Sequence, residues 1–218
     1  MKKLGVFGTS GFAREVADIA DELGYEPFLI AKNETEAASG SDVWPIVLES
    51  NLEECQEIVY ALGIGENNIR AKVAERYSDK LNFVNLVHPS ATFGKHQLEQ
   101  IQTRKGVIVC AGVRFTSNIV VGNHSIFNLN ATVGHDVIIE DFVNIAPGAH
   151  VSGNVWIKRG CWVGTGAVIV QGSNERKLSI GAETTIGAGA VVNKDCDEQA
   201  VYVGAPARRI KSENSGDR

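Results

Sequence analysis

The sequence predicts two unequal units, an α/β part with a small parallel sheet followed by an all-β part of stacked short strands. Three observations predict it. Residues 1–85 alternate short apolar runs with helical stretches. From residue 109 onward, large apolar residues recur at every sixth position. Of the chain's 23 glycines, 13 fall between residues 107 and 206, against only 5 prolines in all 218 residues.

In the first part, Leu4–Phe7 reads as a strand that runs into the glycine turn Gly8-Thr9-Ser10-Gly11. A helix follows, with Val16, Ala20 and Leu23 on one face and Gly24 placed to end it. Phe28–Ile30 reads as the second strand and Ile58–Leu62 as the third. Asn67–Tyr77 reads as a helix with Ile69, Val73 and Tyr77 on one face, and Phe83–Val87 closes the unit as a strand. This order predicts a small Rossmann-like parallel sheet over residues 1–85.

The second part has a different period. Val109, Phe115, Val121, Phe127, Val133, Ile139, Ile145, Val151, Ile157, Val163 and Ile169 form an unbroken apolar column, and two residues before each stands a small or aliphatic residue, from Val107 to Ala167. Neither an α-helix nor a flat strand sustains a six-residue period. A parallel β-helix of hexapeptide repeats does, with three hexads to a coil. The large aliphatics fill its interior and glycines supply the unusual backbone angles at its turns. The phase shifts once, since Ile169 to Ile180 is 11 residues where two hexads would give 12, and Gln171–Leu178 reads as an outward loop. Residues 94–106 read as a weak first coil, the β-helix is expected to span 86–211, and residues 212–218 read as a disordered tail.

Composition excludes several functions. The net charge of −5 argues against a protein that coats nucleic acid or an anionic membrane. No run of 18 apolar residues exists to span a bilayer, and the apolar start stops too soon for a signal peptide. Cys55, Cys110, Cys161 and Cys196 lack CxxC spacing and read as free thiols in a reducing cytoplasm. His88, His96, His124, His135 and His150 show no HxxxxH pair, so a zinc site is not expected. Gly8–Gly11 lacks the third glycine of a dinucleotide fingerprint, which argues against an NAD-dependent oxidoreductase or sensor.

Two places carry chemistry. His135 lies two residues after interior Val133, so it projects from a turn, and Asp136 beside it is placed to orient the ring. Histidine suits a general base at neutral pH. The turn Gly8–Gly11, between strand and helix, presents backbone N–H groups suited to phosphate.

The chain resembles the PglD/NeuD-type sugar acetyltransferases of the left-handed β-helix acyltransferase superfamily. The resemblance rests on Val6-Phe7-Gly8-Thr9-Ser10-Gly11, Ile64-Gly65-Glu66-Asn67-Asn68-Ile69-Arg70 and Leu86-Val87-His88-Pro89-Ser90-Ala91. It continues in Gly134-His135-Asp136, Pro147-Gly148-Ala149 and Val203-Gly204-Ala205-Pro206-Ala207-Arg208. It implies a left-handed coil and a cytoplasmic homotrimer with active sites between subunits. It also implies acetyl-CoA as co-substrate, no metal, and N-acetylation of a nucleotide-linked amino sugar for surface-glycan or glycoprotein synthesis. The leading acceptor is of the UDP-4-amino-4,6-dideoxy-N-acetylglucosamine type. The alternatives are a dTDP- or GDP-linked amino sugar such as perosamine, or O-acetylation of a sugar of the sialic acid type.

Residue by residue, the resemblance implies His135 as catalytic base paired with Asp136, Gly153 as oxyanion donor, and Asn128 as a site contact. Asn144 stands where some relatives place a second histidine, and as an amide it leaves His135 the sole base. Gly153, Thr165 and Ala188 match acetyl-CoA contacts, and Arg208 or Arg209 is placed for CoA phosphates. The nucleotide sugar falls to Thr9, Ser10 and Gly11 with Gly65, Glu66 and Asn67.

Overall fold

The structure, a computed structural model, describes residues 1–40, 43–52 and 57–210. Cys55 and the expected tail 212–218 lie outside the described residues. Lys2–Phe7 (β1), Tyr25–Ala31 (β2), Ile46–Leu48 (β3) and Val59–Leu62 (β4) form a parallel sheet in the order β3-β2-β1-β4. The helix Gly11–Glu22 (α1) buries Val16 and Ala20 against it, while Leu23 only caps the end and stays exposed.

Three sequence expectations for this part are corrected. The run Ile58–Leu62 is the fourth strand, since a short helix, Glu34–Ala38 (α2), and β3 precede it. β3 has only three residues after Pro45, too few to show a period. The helix Asn67–Arg76 (α3) turns Arg70 and Ala74 inward and leaves Ile69 49% exposed, because the buried face meets backbone carbonyls that need a donor. The expected strand Phe83–Val87 is divided between the two parts. Phe83 makes one parallel bridge to Tyr60, whereas Leu86–Val87 pairs with Ile108–Val109 of the coil.

From Leu86 the strands are two or three residues long and stack as a three-sided prism. Face I carries Leu86–Val87, Ile108–Val109, Ile126–Phe127, Asn144–Ile145, Trp162–Val163 and Thr185–Ile186, then Val201–Val203 with antiparallel Arg208–Ile210. Face II carries Arg114–Phe115, Thr132–Val133, His150–Val151, Val168–Ile169 and Val191–Val192. Face III carries Val120–Val121, Ile138–Ile139, Val155–Ile157 and Leu178–Ile180.

Partners in adjacent coils are 18 residues apart, as in Val133 with Val151 and Asn144 with Trp162. All eleven residues of the predicted apolar column are at most 4% exposed, and the smaller residues two before them at most 2%. This interior supplies the coil's stability, because each two-residue strand is far too short to hold alone.

Three further corrections concern the coil. Residues Gln97–Gln102 form a helix (α4), with Gln97 and Ile101 buried, where a weak coil was expected. The Gln97 amide donates to the Ile119 carbonyl and accepts from the Ile119 N–H, so it substitutes for the missing coil below. Ile180 is the next interior residue after Ile169, so the phase shift is one hexad plus five inserted residues at a single corner. Glycine fills only part of the left-handed turn positions. These recur every six residues as Gly106, Gly112, Asn118, His124, Asn130, Asp136, Phe142, Gly148, Asn154, Gly160 and Gly166.

The two parts share one interface. α1 packs its Ile19 and Ala20 in a common cluster with Leu86, Ile108, Cys110 and Ile126 of the coil. Beside it, Arg70 is wholly buried and donates five hydrogen bonds, to the carbonyls of His124, Ile64, Gly65 and Phe142 and to Asn67 Oδ1, all within 2.8–2.9 Å. Burial lowers its pKa to about 9, against the opposing pull of Glu66.

Candidate active site

His135 stands at the corner between faces II and III, and its side chain is 54% exposed. Its Nδ1 meets Asp136 Oδ2 at 2.7 Å, and Asn118 Nδ2 donates to Asp136 Oδ1 at 2.6 Å. The Asn118 amide, and after it the His135 ring, hold the Asp136 carboxyl below its ordinary value. Asp136 is therefore an anionic acceptor at neutral pH, and the ring's Nδ1 carries the proton it accepts. That leaves Nε2 as the free, basic nitrogen.

One coil further on lies Gly153. A Cβ there would fall 2.5 Å from His135 Cε1 and Nε2, so only glycine lets the ring lie against this backbone. The Gly153 carbonyl accepts from Gly172 N–H, whereas its own N–H donates to no described residue. The corner thus sets a free imidazole nitrogen beside a free backbone donor.

The other expected residues stand on different corners of the prism. Asn128 lies at the corner between faces I and II, where its Oδ1 accepts from the Leu129 N–H at 2.7 Å and caps the local turn. Thr165 and Ala188 occupy the same corner in higher coils, both exposed, with the Thr165 carbonyl accepting from the Gly189 N–H. Asn144 lies on face I, is 3% exposed, and donates from Nδ2 to the Gly65 carbonyl at 3.2 Å, while its Oδ1 has no partner among the described residues. Arg208, on the last strand, donates to the Ala207 carbonyl, and Arg209 pairs with Asp197 at 2.9 Å. One chain therefore gathers His135, Asp136 and Gly153 at one corner, and it does not bring Asn128, Asn144, Thr165, Ala188 or Arg208 to it.

At the parallel sheet, Thr9 is buried and its hydroxyl donates to Glu36, at 3.3 Å to Oε1 and 3.4 Å to the carbonyl. Ser10 and Gly11 are exposed at the N-terminus of α1, and the Ser10 side chain makes no capping bond. Gly65 and exposed Glu66 follow β4. Asn67 is committed to the interface, where its Nδ2 donates to the carbonyls of Gly160 and Cys161 and its Oδ1 accepts from Arg70.

Sequence reading missed Glu36, which lies a few residues past the second strand and whose Oε2 accepts from the Lys32 N–H at 2.9 Å. It also missed Asn118, although stepping back 18 residues from Asp136 finds it in the same turn column.

Among the described residues no group of three or more His, Cys, Asp or Glu side chains is placed to hold a metal ion, and no helix is long and apolar enough to cross a membrane. Cys110, Cys161 and Cys196 are free and buried, with burial pushing each thiol up to about 12.

Short parallel strands stacked as a prism beside a small parallel sheet are the architecture of the left-handed β-helix acyltransferases. Residues 3–77 match the family described as the PglD N-terminal domain. The sequence is 28% identical to a GDP-perosamine N-acetyltransferase of Escherichia coli O157:H7 over 219 residues, 97% of each chain. The fold is similar to WeeI from Acinetobacter baumannii AYE, with a TM-score of 0.84 and 26% identity over 95% of this chain and 99% of that one. It is similar as well to the acetyltransferase domain of PglB from Neisseria gonorrhoeae FA1090 in complex with acetyl coenzyme A, with a TM-score of 0.83 and 29% identity over 96% and 99%. The likeness runs over nearly the whole chain and is to acetyltransferases.

Proposed function

We propose that this enzyme transfers the acetyl group of acetyl-CoA to the amine of a nucleotide-linked amino sugar, with His135 as general base. The observation that carries the reading is the corner itself, where Asp136 fixes His135 at 2.7 Å and the ring lies on Gly153. The acceptor nitrogen attacks the thioester carbonyl carbon while His135 Nε2 takes its proton. The Gly153 N–H donates to the carbonyl oxygen as it becomes negative, and the C–S bond then breaks as the oxyanion collapses, the imidazolium returning its proton to the sulfur to release CoA thiol. Asp136 stabilises the imidazolium that forms and takes no proton itself.

The acceptor we propose is a 4-amino-4,6-dideoxy sugar on a nucleoside diphosphate, held in the unit 1–85 by Thr9–Gly11 and the loop at Gly65–Glu66. The coil over 86–211 provides the transfer site. The full-length likeness to a GDP-perosamine N-acetyltransferase makes the GDP-linked sugar the first acceptor to try, with the UDP-linked sugar as its rival. His135 lies on the corner remote from face I, where Asn144 meets Gly65, so one chain separates the base from the sugar loops. A homotrimer joins the corner of one copy to the sugar loops of its neighbour, and with them Asn144, Asn128, Thr165, Ala188 and Arg208.

The test is CoA thiol release with GDP-, dTDP- and UDP-linked 4-amino sugars and with hydroxyl acceptors. Turnover on an amine that falls at least ~10²-fold in His135→Ala is expected. Turnover on hydroxyl acceptors alone would sink the N-acetyl reading, and a near-normal His135→Ala would remove the base.

A further inference from the structure

The five residues Ser173–Lys177 form an insertion that the coil does not need. Without them the chain would read Ile169-Val170-Gln171-Gly172-Leu178-Ser179-Ile180, an unbroken hexad. Leu178 would then stand two before the interior Ile180, as Val155 does before Ile157 one coil below. The backbone ladder already closes across the base of the insertion. The Gly172 N–H donates to the Gly153 carbonyl and the Leu178 N–H to the Asn154 carbonyl, each at 3.0 Å.

The insertion rises from the same corner column as His135, and it reaches down that column. Asn174 Oδ1 accepts from Asn154 Nδ2 at 3.1 Å. Lys177 Nζ passes further and donates to the carbonyl oxygen of Asp136, 41 residues earlier in the chain. Arg176 turns the other way, to Asp195.

Asp136 is thereby held at four points. Its N–H donates to the Ser117 carbonyl, Oδ1 accepts from Asn118, Oδ2 meets His135, and its carbonyl accepts from Lys177. Its backbone is in the left-handed region, at φ 59°, as at the other turns of this column, Asn118 and Asn154. The carbonyl faces a half-exposed corner, so without the ammonium it would turn to water at little cost in stability. The turn would then lose one of its four restraints, and the Cα from which the carboxylate aims the imidazole would be held less firmly.

We infer that Lys177, carried on a five-residue insertion, is a positioning residue for the His135–Asp136 pair. The inference rests on the reading of His135 as general base. Lys177 touches neither reacting atom; it fixes the turn from which the base is presented.

The test measures kcat, both KM values and thermal midpoint for Lys177→Met, Lys177→Arg and a deletion of residues 173–177, in the full chain. The same Lys177→Met change is made in a His135→Ala background, read by single-turnover assay at high enzyme concentration. Lys177→Met is expected to lower kcat ~10-fold, because small displacements of a catalytic group cost rate steeply. Both KM values stay within about twofold and the midpoint within about 2 °C, as for a surface change. Lys177→Arg recovers most of the rate, and the deletion folds with kcat no higher than that of Lys177→Met. Once His135 is alanine, Lys177→Met costs nothing more, since the pair it positions is gone.

A normal kcat in Lys177→Met would overturn the inference. A raised KM for acetyl-CoA with kcat intact would do so too, by making Lys177 a ligand contact. The same fractional loss in the His135→Ala background would separate Lys177 from the base. A fully active His135→Ala strikes the base reading itself, whereas an inactive His135→Ala beside a normal Lys177→Met strikes only the role of Lys177.

Discussion

Two corners of the same prism share one backbone plan and have opposite chemistry. Between faces II and III the left-handed positions are Asn118, Asp136 and Asn154, where Asn118 bonds to Asp136, Asp136 to the His135 ring, and the more buried Asn154 to Asn174 of the insertion. Between faces III and I the lower ones are Gly106, His124, Phe142 and Gly160, against which the first part packs, while Glu183 and Gln199 above them are exposed. There His124 stacks on Phe142 at 5.1 Å, meets Phe83 edge-on at 5.5 Å, and has a buried Nδ1 without a partner among the described residues, while Arg70 takes the carbonyls of both turns. The repeat supplies a turn every six residues, and what packs on that turn decides whether its side chain does chemistry or holds the fold.

The buried corner is the one to break for stability. Arg70→Met would leave the carbonyls of Ile64, His124 and Phe142 and the Asn67 amide oxygen unpaired, with Gly65 keeping only Asn144, and a loss of about 3–5 kcal/mol is expected from losing one side of a buried charged network. Urea titration checks it, and a loss under about 1 kcal/mol would show the joint to be ornamental.

Acid sharpens the contrast next. Burial, and after it the charge of Arg70, lowers the His124 pKa from 6.5 to about 4. The unfolded chain binds this proton from about pH 6.5 downward and the folded chain only near pH 4. Stability from this group is therefore complete above pH 6.5, falls as pH drops, and levels near pH 4, a total of about 3 kcal/mol. His124→Asn, which tolerates the left-handed turn, should flatten that slope in unfolding series from pH 7.5 to 4.5.

The smallest effect belongs at the third corner. Gly148 has φ 64° and open space around its Cα, and Asn130 already occupies the matching turn one coil below at φ 58°. Gly148→Asn should shift stability by no more than about 0.5 kcal/mol, whereas Gly148→Val should cost about 1–2 kcal/mol in the same titration.

Much of the coil was legible because its signal is periodic. Burying one apolar residue in six needs no knowledge of distant partners, and the column from Val109 to Ile169 states the requirement eleven times. The first part was less legible where elements are short or their partners lie far away. Ile46–Leu48 is too brief to show alternation, and nothing near Arg70 marks it as buried, because the carbonyls it serves lie as far as 72 residues along the chain. At the corner of His135, the turn position and the acidic neighbour could be read from spacing. The seat on Gly153 and the reach of Lys177 are set by stacking between coils, which neighbouring residues do not reveal.

The Arg70 joint also bears on how the chain comes apart. Its acceptors belong to the loop after β4, the start of α3 and two successive coils, so no single segment can satisfy the guanidinium alone. A state with the sheet detached from an intact coil would expose a charge and its acceptors at once, and it should be scarcely populated. The two architectures then melt as one cooperative unit, with calorimetric and van't Hoff enthalpies in agreement, and a damaged molecule loses the sheet and the coil together.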